Sequence, residues 1–391
     1  MGELTDRSRV WVGTMAGHAQ PGGIVTAHGD REPMVVPGSV HGRVAREELE
    51  DRLLVAGATR AAGAGDRFRQ EQPDPERTCF ERDRDRVLHS TAFRRLAGKT
   101  QVFVYPADHQ RTRLTHALEV AQVATSVARA TGLNVALTEA IALGHDCGHG
   151  PGGHASEDAF GEFLDEGYDH ARWGADVVLA PLNLCRETLD GVRNHSWSRP
   201  SPATPEGCVV SWADRIAYTA HDLEDAAHAG IVSLHDLPRD VVEVCGRLRG
   251  DQLATFIHAV VDCVSRNGVV GMRAEVADAL AALRAFNYER IYTRPESLAQ
   301  SDAVIAVLRA LVEHYAARPE TLPAPQRVEP GSAAAVRAAV TYVSGMTDRY
   351  AFRSAVELLG WDPARLPQGI DSYVSAAPVP PAVPQSRSSS G

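Results

Sequence analysis

Apolar residues recur at helical spacing along most of the chain. Over 113–131 they fall at Leu114, Leu118, Ala121, Ala124 and Ala128, one side of a helix that Gly132 is placed to end. Asn134 reads as the N-cap of a second helix over 134–143, with Ile141 and Leu143 turned inward. The same spacing predicts helices over 155–164, 253–264, 274–292 and 303–317. A long helix over 209–229 carries Ile216, Ala217, Ala220, Leu223 and Ala227 on its buried side. Beyond a proline-rich loop at 319–330, two more helices are expected at 332–343 and 347–359. Strand-like alternation is scarce, so the pattern predicts an all-α fold.

The ends read differently from the middle. Residues 1–66 mix glycine, valine and charge without a sustained period, apart from a short helix at 45–54 with Leu49, Leu53 and Leu54 on one side. The Ala/Gly run at 61–65 reads as a flexible joint. This N-terminal extension is expected to be disordered, or to stem from a start codon placed too early. The chain then divides into a helical core at 67–318, a C-terminal helical segment at 319–375, and a tail at 376–391. The tail's Ala, Pro and Ser cannot build a core, and it is expected to be disordered. No internal repeat is evident.

Composition narrows the function classes. The 391 residues carry a formal net charge of −10. That argues against an extended nucleic-acid face, which needs clustered positive charge, but leaves room for a nucleotide in one local basic pocket. Six cysteines lie far apart with no CxxC pair, which fits reduced thiols in a cytoplasmic protein better than a disulfide framework. No apolar run is long enough for a membrane helix, and no secretory h-region follows the N-terminus. Lys99 is the sole lysine among 40 long basic residues.

Chemistry concentrates in three stretches: Arg113-Leu-Thr-His116, then Gly144-His145-Asp146-Cys147-Gly148-His149-Gly150-Pro151-Gly152-Gly153-His154-Ala155-Ser156-Glu157, then Trp212-Ala-Asp214-Arg215-Ile-Ala-Tyr218. An adjacent His-Asp pair at a helix end, with a histidine upstream and an aspartate downstream, can converge on one divalent ion. Two imidazoles and two carboxylates suit Mn²⁺, Mg²⁺, Fe²⁺ or Co²⁺ with positions left open for water or phosphate. The opposing reading is a set of surface or capping histidines. Against it stands the glycine-rich turn, which disfavours helix and lets backbone approach a ligand.

The segments RDRDRVLHSTAFRRLAGKTQVF (82–103), DHQRTRLTHALEVAQVA (108–124), GHDCGHGPGGHASE (144–157) and ADRIAYTAHDLEDA (213–226) resemble the bacterial dGTPase family, and more distantly the mammalian SAM-and-HD-domain dNTP hydrolase. The resemblance spans roughly 77–294. It implies an HD-domain helical phosphohydrolase core with additional C-terminal helices. It also implies hydrolysis of deoxynucleoside triphosphates to deoxynucleoside and tripolyphosphate. Matched onto this chain, it makes His116, His145, Asp146 and Asp214 ligands of one divalent metal ion per site. It makes His154 and Glu157 a catalytic pair one helical turn apart, His149 a second active-site histidine, and His170 a further one whose surroundings depart from the family pattern. Arg113 and Arg215 match groups that neutralise the triphosphate. Gln101, Tyr218 and Asp222 match residues near the sugar, the latter two at i and i+4 on the Asp214 helix. Family members form homo-oligomers, often with allosteric nucleotide sites, and both are expected here.

Other residues carry plainer expectations. Arg113 has the alternative of pairing with a carboxylate on its own helix, and Tyr218 that of a core tyrosine. Asp222, Glu224 and Asp225 have the alternative of a solvated acidic face. The Arg82–Arg86 run reads as an exposed salt-bridge ladder, Cys147 as a buried filler, and His195, His221 and His228 as structural. Gly152 stands where the family commonly has an aromatic ring, so the catalytic loop is expected to be more mobile. Two other functions stay open: an HD phosphohydrolase of a nucleoside monophosphate or guanosine alarmone, and a nucleotide-binding regulatory protein with negligible turnover.

Overall fold

The computed structural model describes residues 5–14, 16–30, 34–106, 110–324 and 327–369. The expectation for the tail at 376–391, and the first two residues of the 108–124 motif, lie outside the described residues. Two compact units divide between His41 and Gly42. The first holds a helix, Asp6–Thr14, and an antiparallel hairpin pairing His18–Gln20 with Ile24–Thr26. Among the described residues this hairpin is the only sheet. The second unit is helical throughout, as the periodicity predicts.

Local signals place its helices. The Cys79–His89 helix opens on a full capping box, with Thr78 and Glu81 satisfying each other's backbone donors. Asn134 caps Val135–Gly144 by accepting from Leu137 N, and Gly132, in the left-handed region, ends Arg113–Thr131. Thr204 caps the 24-residue Pro205–His228 helix, whose proline at the first turn needs no partner for a missing N–H. The 274–292 stretch is a helix, Ala274–Asn287, whose last turn widens into a π-turn at Tyr288–Tyr292.

Two hydrophobic clusters build the second unit. In the larger, Arg113–Thr131 packs on Val135–Gly144 and on Pro205–His228, with Phe80 and Phe256 fully buried among them. In the smaller, Pro295–Ala317 packs on Ala333–Ser344, Asp348–Leu359 and the short Ala155–Gly161 helix, around Phe160 and Phe352. Each such ring contributes about 1.5–3 kcal/mol of apolar burial. The glycine-rich turn at 148–153 runs between the Val135–Gly144 helix of the first cluster and the Ala155–Gly161 helix of the second.

Residues 42–66 pack on this unit. Ala58 and Ala61 are buried, and the buried Glu206 accepts from Thr59 N and Oγ1 and from Asn134 N. The Arg82–Arg86 run does form a half-exposed ladder, with Arg82 and Arg86 on Glu71 and Arg84 on Asp85, but one of its members turns inward. Asp83 is fully buried, paired with Arg67 at 2.6 Å, and accepts from Cys185 N and Thr188 Oγ1 at 2.7 Å each. Helical spacing alone turned that one aspartate inward, and the partners that neutralise it lie far along the chain. Among the described residues no helix is long and apolar enough to cross a membrane.

Candidate metal centre and active site

His116 comes from the first turn of Arg113–Thr131, His145 and Asp146 from the end of Val135–Gly144, and Asp214 from the middle of Pro205–His228. Their donor atoms converge. His116 Nε2 lies 3.0 Å from Asp214 Oδ1, His145 Nε2 lies 3.7 Å from the same oxygen, and Asp146 Oδ1 lies 3.5 Å from His145 Nε2. His145 donates Nδ1–H to the Ala142 carbonyl at 2.6 Å, which leaves Nε2 a bare acceptor. That nitrogen is buried and makes no hydrogen bond. A buried lone pair aimed at two carboxylates fits a cation, and this donor set suits a borderline-hard divalent ion.

The carboxylates are held ready to ligate. Burial raises the Asp146 carboxyl, but Arg113, His145 and His149 outweigh burial and hold it well below its ordinary range. Arg113 donates Nη1–H to Asp146 Oδ2 at 2.7 Å, so it pairs across the site rather than along its own helix. Asp214 is likewise lowered, because the hydrogen bond from His116 and the nearby His145 prevail over burial.

A second cluster adjoins the first. His154 Nδ1 lies 2.9 Å from Glu157 Oε1, and His170 Nδ1 lies 3.0 Å from the same oxygen. The His149 and His170 rings stack 3.8 Å apart, and His149 Nε2 lies 3.2 Å from Asp146 Oδ1. Burial, then Arg113 and His170, hold His149 well below its ordinary pKa, so it stays neutral. His170 runs the other way: burial lowers it, but the Glu157 carboxylate outweighs that and raises it. Glu157 itself is lowered, its bonds to His154 and His170 overcoming burial. His154 stands apart, its side chain 76% exposed and open to whatever enters.

The loop that carries these histidines is braced from outside. Gly152 and Gly153 both take positive φ, 73° and 65°, and a Cβ on Gly153 would sit 2.6 Å from Arg113 Nη2. Gly152 N–H donates to Asp348 Oδ1 at 2.9 Å, and Gly150 N–H to Ser156 Oγ at 3.0 Å. Lys99 donates to the His149 carbonyl and, at 3.0 Å, to that of Ser344. Asp348 also accepts from Thr100 N and Oγ1. The expected loosening on loss of an aromatic at 152 therefore meets a substitute. Val304 fills the space a side chain would take, and a buried carboxylate and ammonium hold the backbone.

Both clusters open on one cavity of about 370 Å³. It is lined by Gln101, Arg113, His116, Asp146, His149, His154, His170, Asp214, Arg215, Tyr218 and Asp222, so eleven of the thirteen candidates line it, and the other two, His145 and Glu157, sit directly behind them. Arg215 lies over the Trp197 ring at 3.6 Å, and Tyr218 accepts from Arg284 Nε at 2.7 Å. Asp222 is buried rather than part of a solvated face. It accepts from Arg111 and from the Tyr292 hydroxyl. Asp225 pairs with the same arginine, and Glu224 with Arg249.

Several lining residues carry no sequence signal. Trp197, Arg284 and Tyr292 reach the cavity from elements outside the histidine motifs. His195, expected to be structural, lines it too, with its ring 5.0 Å from that of His145. Only the surrounding motif's general match could have drawn attention to it, since no second histidine stands at helical spacing. His221 instead bonds the Ala217 carbonyl at 2.8 Å on its own helix, in keeping with a structural role.

Comparison with known proteins agrees with this geometry. The HD domain profile matches residues 113–219, and that of the phosphohydrolase-associated domain matches 270–357. A deoxyguanosinetriphosphate triphosphohydrolase-like protein of Caldanaerobacter subterraneus subsp. tengcongensis is 39% identical over 319 residues, covering 80% of this chain and 94% of its own. Proteins of the same description from Clostridium perfringens and Desulfatibacillum aliphaticivorans are 40% and 38% identical, covering 73% and 78% of this chain and 87% and 95% of theirs. With similarity of that extent and every metal-ligand candidate drawn to one point, the chain belongs to the deoxyguanosinetriphosphate triphosphohydrolase-like family of HD-domain phosphohydrolases.

Proposed function

We propose that the protein hydrolyses deoxynucleoside triphosphates to deoxynucleoside and tripolyphosphate. The observation that carries this reading is the layout of the histidine-lined cavity. His116, Asp146, Asp214 and His154 line it together with Arg113, Arg215, Gln101, Tyr218 and Asp222, and His145 and Glu157 back them from behind. A divalent cation held by His116, His145, Asp146 and Asp214 would supply Lewis-acid polarisation of a phosphoryl oxygen.

The remaining roles belong to the chain. Arg113 and Arg215 offset charge on the triphosphate. Glu157 fixes the His154 ring through Nδ1, which leaves Nε2 free to hand a proton to the departing 5′-oxygen. The buried, neutral His149 faces the same space as a hydrogen-bonding group rather than a fixed charge. Gln101 Oε1 is buried without a hydrogen bond, so it is an acceptor ready for a sugar hydroxyl. The braced 148–153 turn removes the main motive for a reading in which the protein binds nucleotide without turning it over.

Incubating the protein with Mn²⁺ and each of the four dNTPs or GTP, then separating products by anion exchange, tests the proposal. Tripolyphosphate with deoxynucleoside is expected, lost in Asp146→Ala and strongly reduced in His154→Ala. Orthophosphate or pyrophosphate as the sole phosphate product would reject it. Assembly into homo-oligomers and regulation by a second nucleotide belong to the same proposal, and sedimentation with and without dNTP tests them.

A further inference from the structure

Arg113 and Arg215 line the same cavity but are held in opposite ways. Arg113 is fixed by the Asp146 carboxylate, which offsets its charge. Among the described residues Arg215 has no ion pair and no hydrogen bond, and its Nε is buried without an acceptor. What it meets instead is the Trp197 ring, whose centre lies 3.6 Å from Cζ.

That ring is fixed independently of the arginine. Trp197 follows the Arg186–Asn194 helix, and its Nε1–H donates to Ser211 O at 3.1 Å. Ser211 Oγ donates in turn to the His195 carbonyl, so residues 195–197 are tied twice to the Pro205–His228 helix. Trp212, on that helix, meets the indole in a T-shaped contact with ring centres 4.6 Å apart. A carboxylate and a ring face do different things to a guanidinium. The carboxylate binds it in plane, takes N–H donors and cancels charge. The ring binds it from above through its quadrupole, and leaves the charge and the in-plane donors for another anion. Trp197 is 46% exposed and lines the cavity beside Arg215, so those donors are open to what enters.

We propose that Trp197 is a positioning residue: its indole face aims Arg215, with its charge intact, at the triphosphate. This rests on the reading of the cavity as a triphosphate site. Without the ring, the anion itself must order a long, rotamer-rich side chain, which weakens binding but leaves the charge in place. Phenylalanine keeps a ring face and loses the Nε1–H that Ser211 holds, so Trp197→Phe falls between the wild type and Trp197→Ala.

The experiment is calorimetric titration of the full chain in Mg²⁺ with inorganic tripolyphosphate, and separately with deoxyguanosine. Trp197→Ala should bind tripolyphosphate about tenfold more weakly than the wild type, and Trp197→Phe about threefold. In an Arg215→Ala background, removing the ring should change binding less than about twofold, because the ring acts through that arginine. A merely structural role would weaken binding by the same factor in both backgrounds, and equal factors overturn the proposal. Trp197→Ala that keeps tripolyphosphate and loses deoxyguanosine overturns it too, and makes the ring a platform for the base. Should Trp197→Ala misfold, Trp197→Phe with and without Arg215 carries the same comparison. In turnover of a dNTP, Trp197→Ala should raise KM about tenfold with kcat within about twofold. Wild type that binds no tripolyphosphate overturns the proposal, whereas the product assay judges the substrate reading by itself. Ring–arginine coupling in a protein that turns over no dNTP would reject the substrate reading alone.

Discussion

Asp348 joins three parts of the chain, and removing it should be felt in all of them. Its carboxylate is buried and accepts from Gly152 N at 2.9 Å, Thr100 N at 2.9 Å and Thr100 Oγ1 at 2.5 Å. Lys99, also buried, has Asp348 as the leading favourable charge near it. In Asp348→Ala two backbone N–H groups lose their acceptor where water does not reach, at about 1–3 kcal/mol each. The Thr100 hydroxyl can turn away, so its loss lies at the low end. Against this, burial outweighs the hydrogen bonds and raises the Asp348 carboxyl, so the wild type already carries a desolvation cost that the variant sheds. The balance is a destabilisation of about 2–4 kcal/mol. Asp348→Asn keeps one oxygen for Gly152 N but turns an amide toward Thr100 N, and should lose about half as much. Urea unfolding reads the midpoint at constant slope. Turnover should fall further than stability alone explains, because the freed Gly152 no longer holds His154 in place. A loss under about 0.5 kcal/mol for Asp348→Ala, with slope unchanged, would refute the bracing argument.

Other outcomes follow from the same contacts. Gly152→Ala forces a side chain into the left-handed region and against Val304, and should cost about 2–4 kcal/mol in urea unfolding. A loss under about 1 kcal/mol would show that Val304 gives way easily. For Lys99, burial lowers the ammonium to about 8 from 10.5. The unfolded chain therefore binds more protons between those values, and this group's contribution to stability rises with pH across that window. The wild type should gain about 3 kcal/mol relative to Lys99→Met from pH 7.5 to 10.5, and a flat difference between the two curves would contradict the shift. Chelation should lower the thermal midpoint, since an ion at a hundred times its Kd adds about 2.7 kcal/mol. Asp214→Ala should make the midpoint insensitive to Mn²⁺, and a metal response retained in that variant would count against Asp214 as a ligand.

Short-range pattern carried much of this protein. Asn134, Gly132 and the apolar face of 113–131 act within a turn or two of their own positions, so the helices they specify are legible before any packing is known. The His145–Asp146 pair and the i, i+3 spacing of His154 and Glu157 are local in the same sense, and the structure brings Asp146 and His154 to one cavity with His145 and Glu157 directly behind them. Tertiary structure decided what stands opposite. Gly152 and Asp348 are 196 residues apart, and no spacing rule links a glycine turn to a carboxylate that far along. Asp83, in a run that looks solvated, is neutralised by an arginine on one side and capped by Cys185 and Thr188 on the other. His195 is a lone histidine at the end of a helix, and only the folding of Arg186–Asn194 beside the Val135–Gly144 helix brings its ring to His145. Periodicity can say that a residue faces inward. Which buried lone pair or charge it meets there depends on the packing of distant helices, because a polar group taken out of water is satisfied by whatever partner the fold delivers.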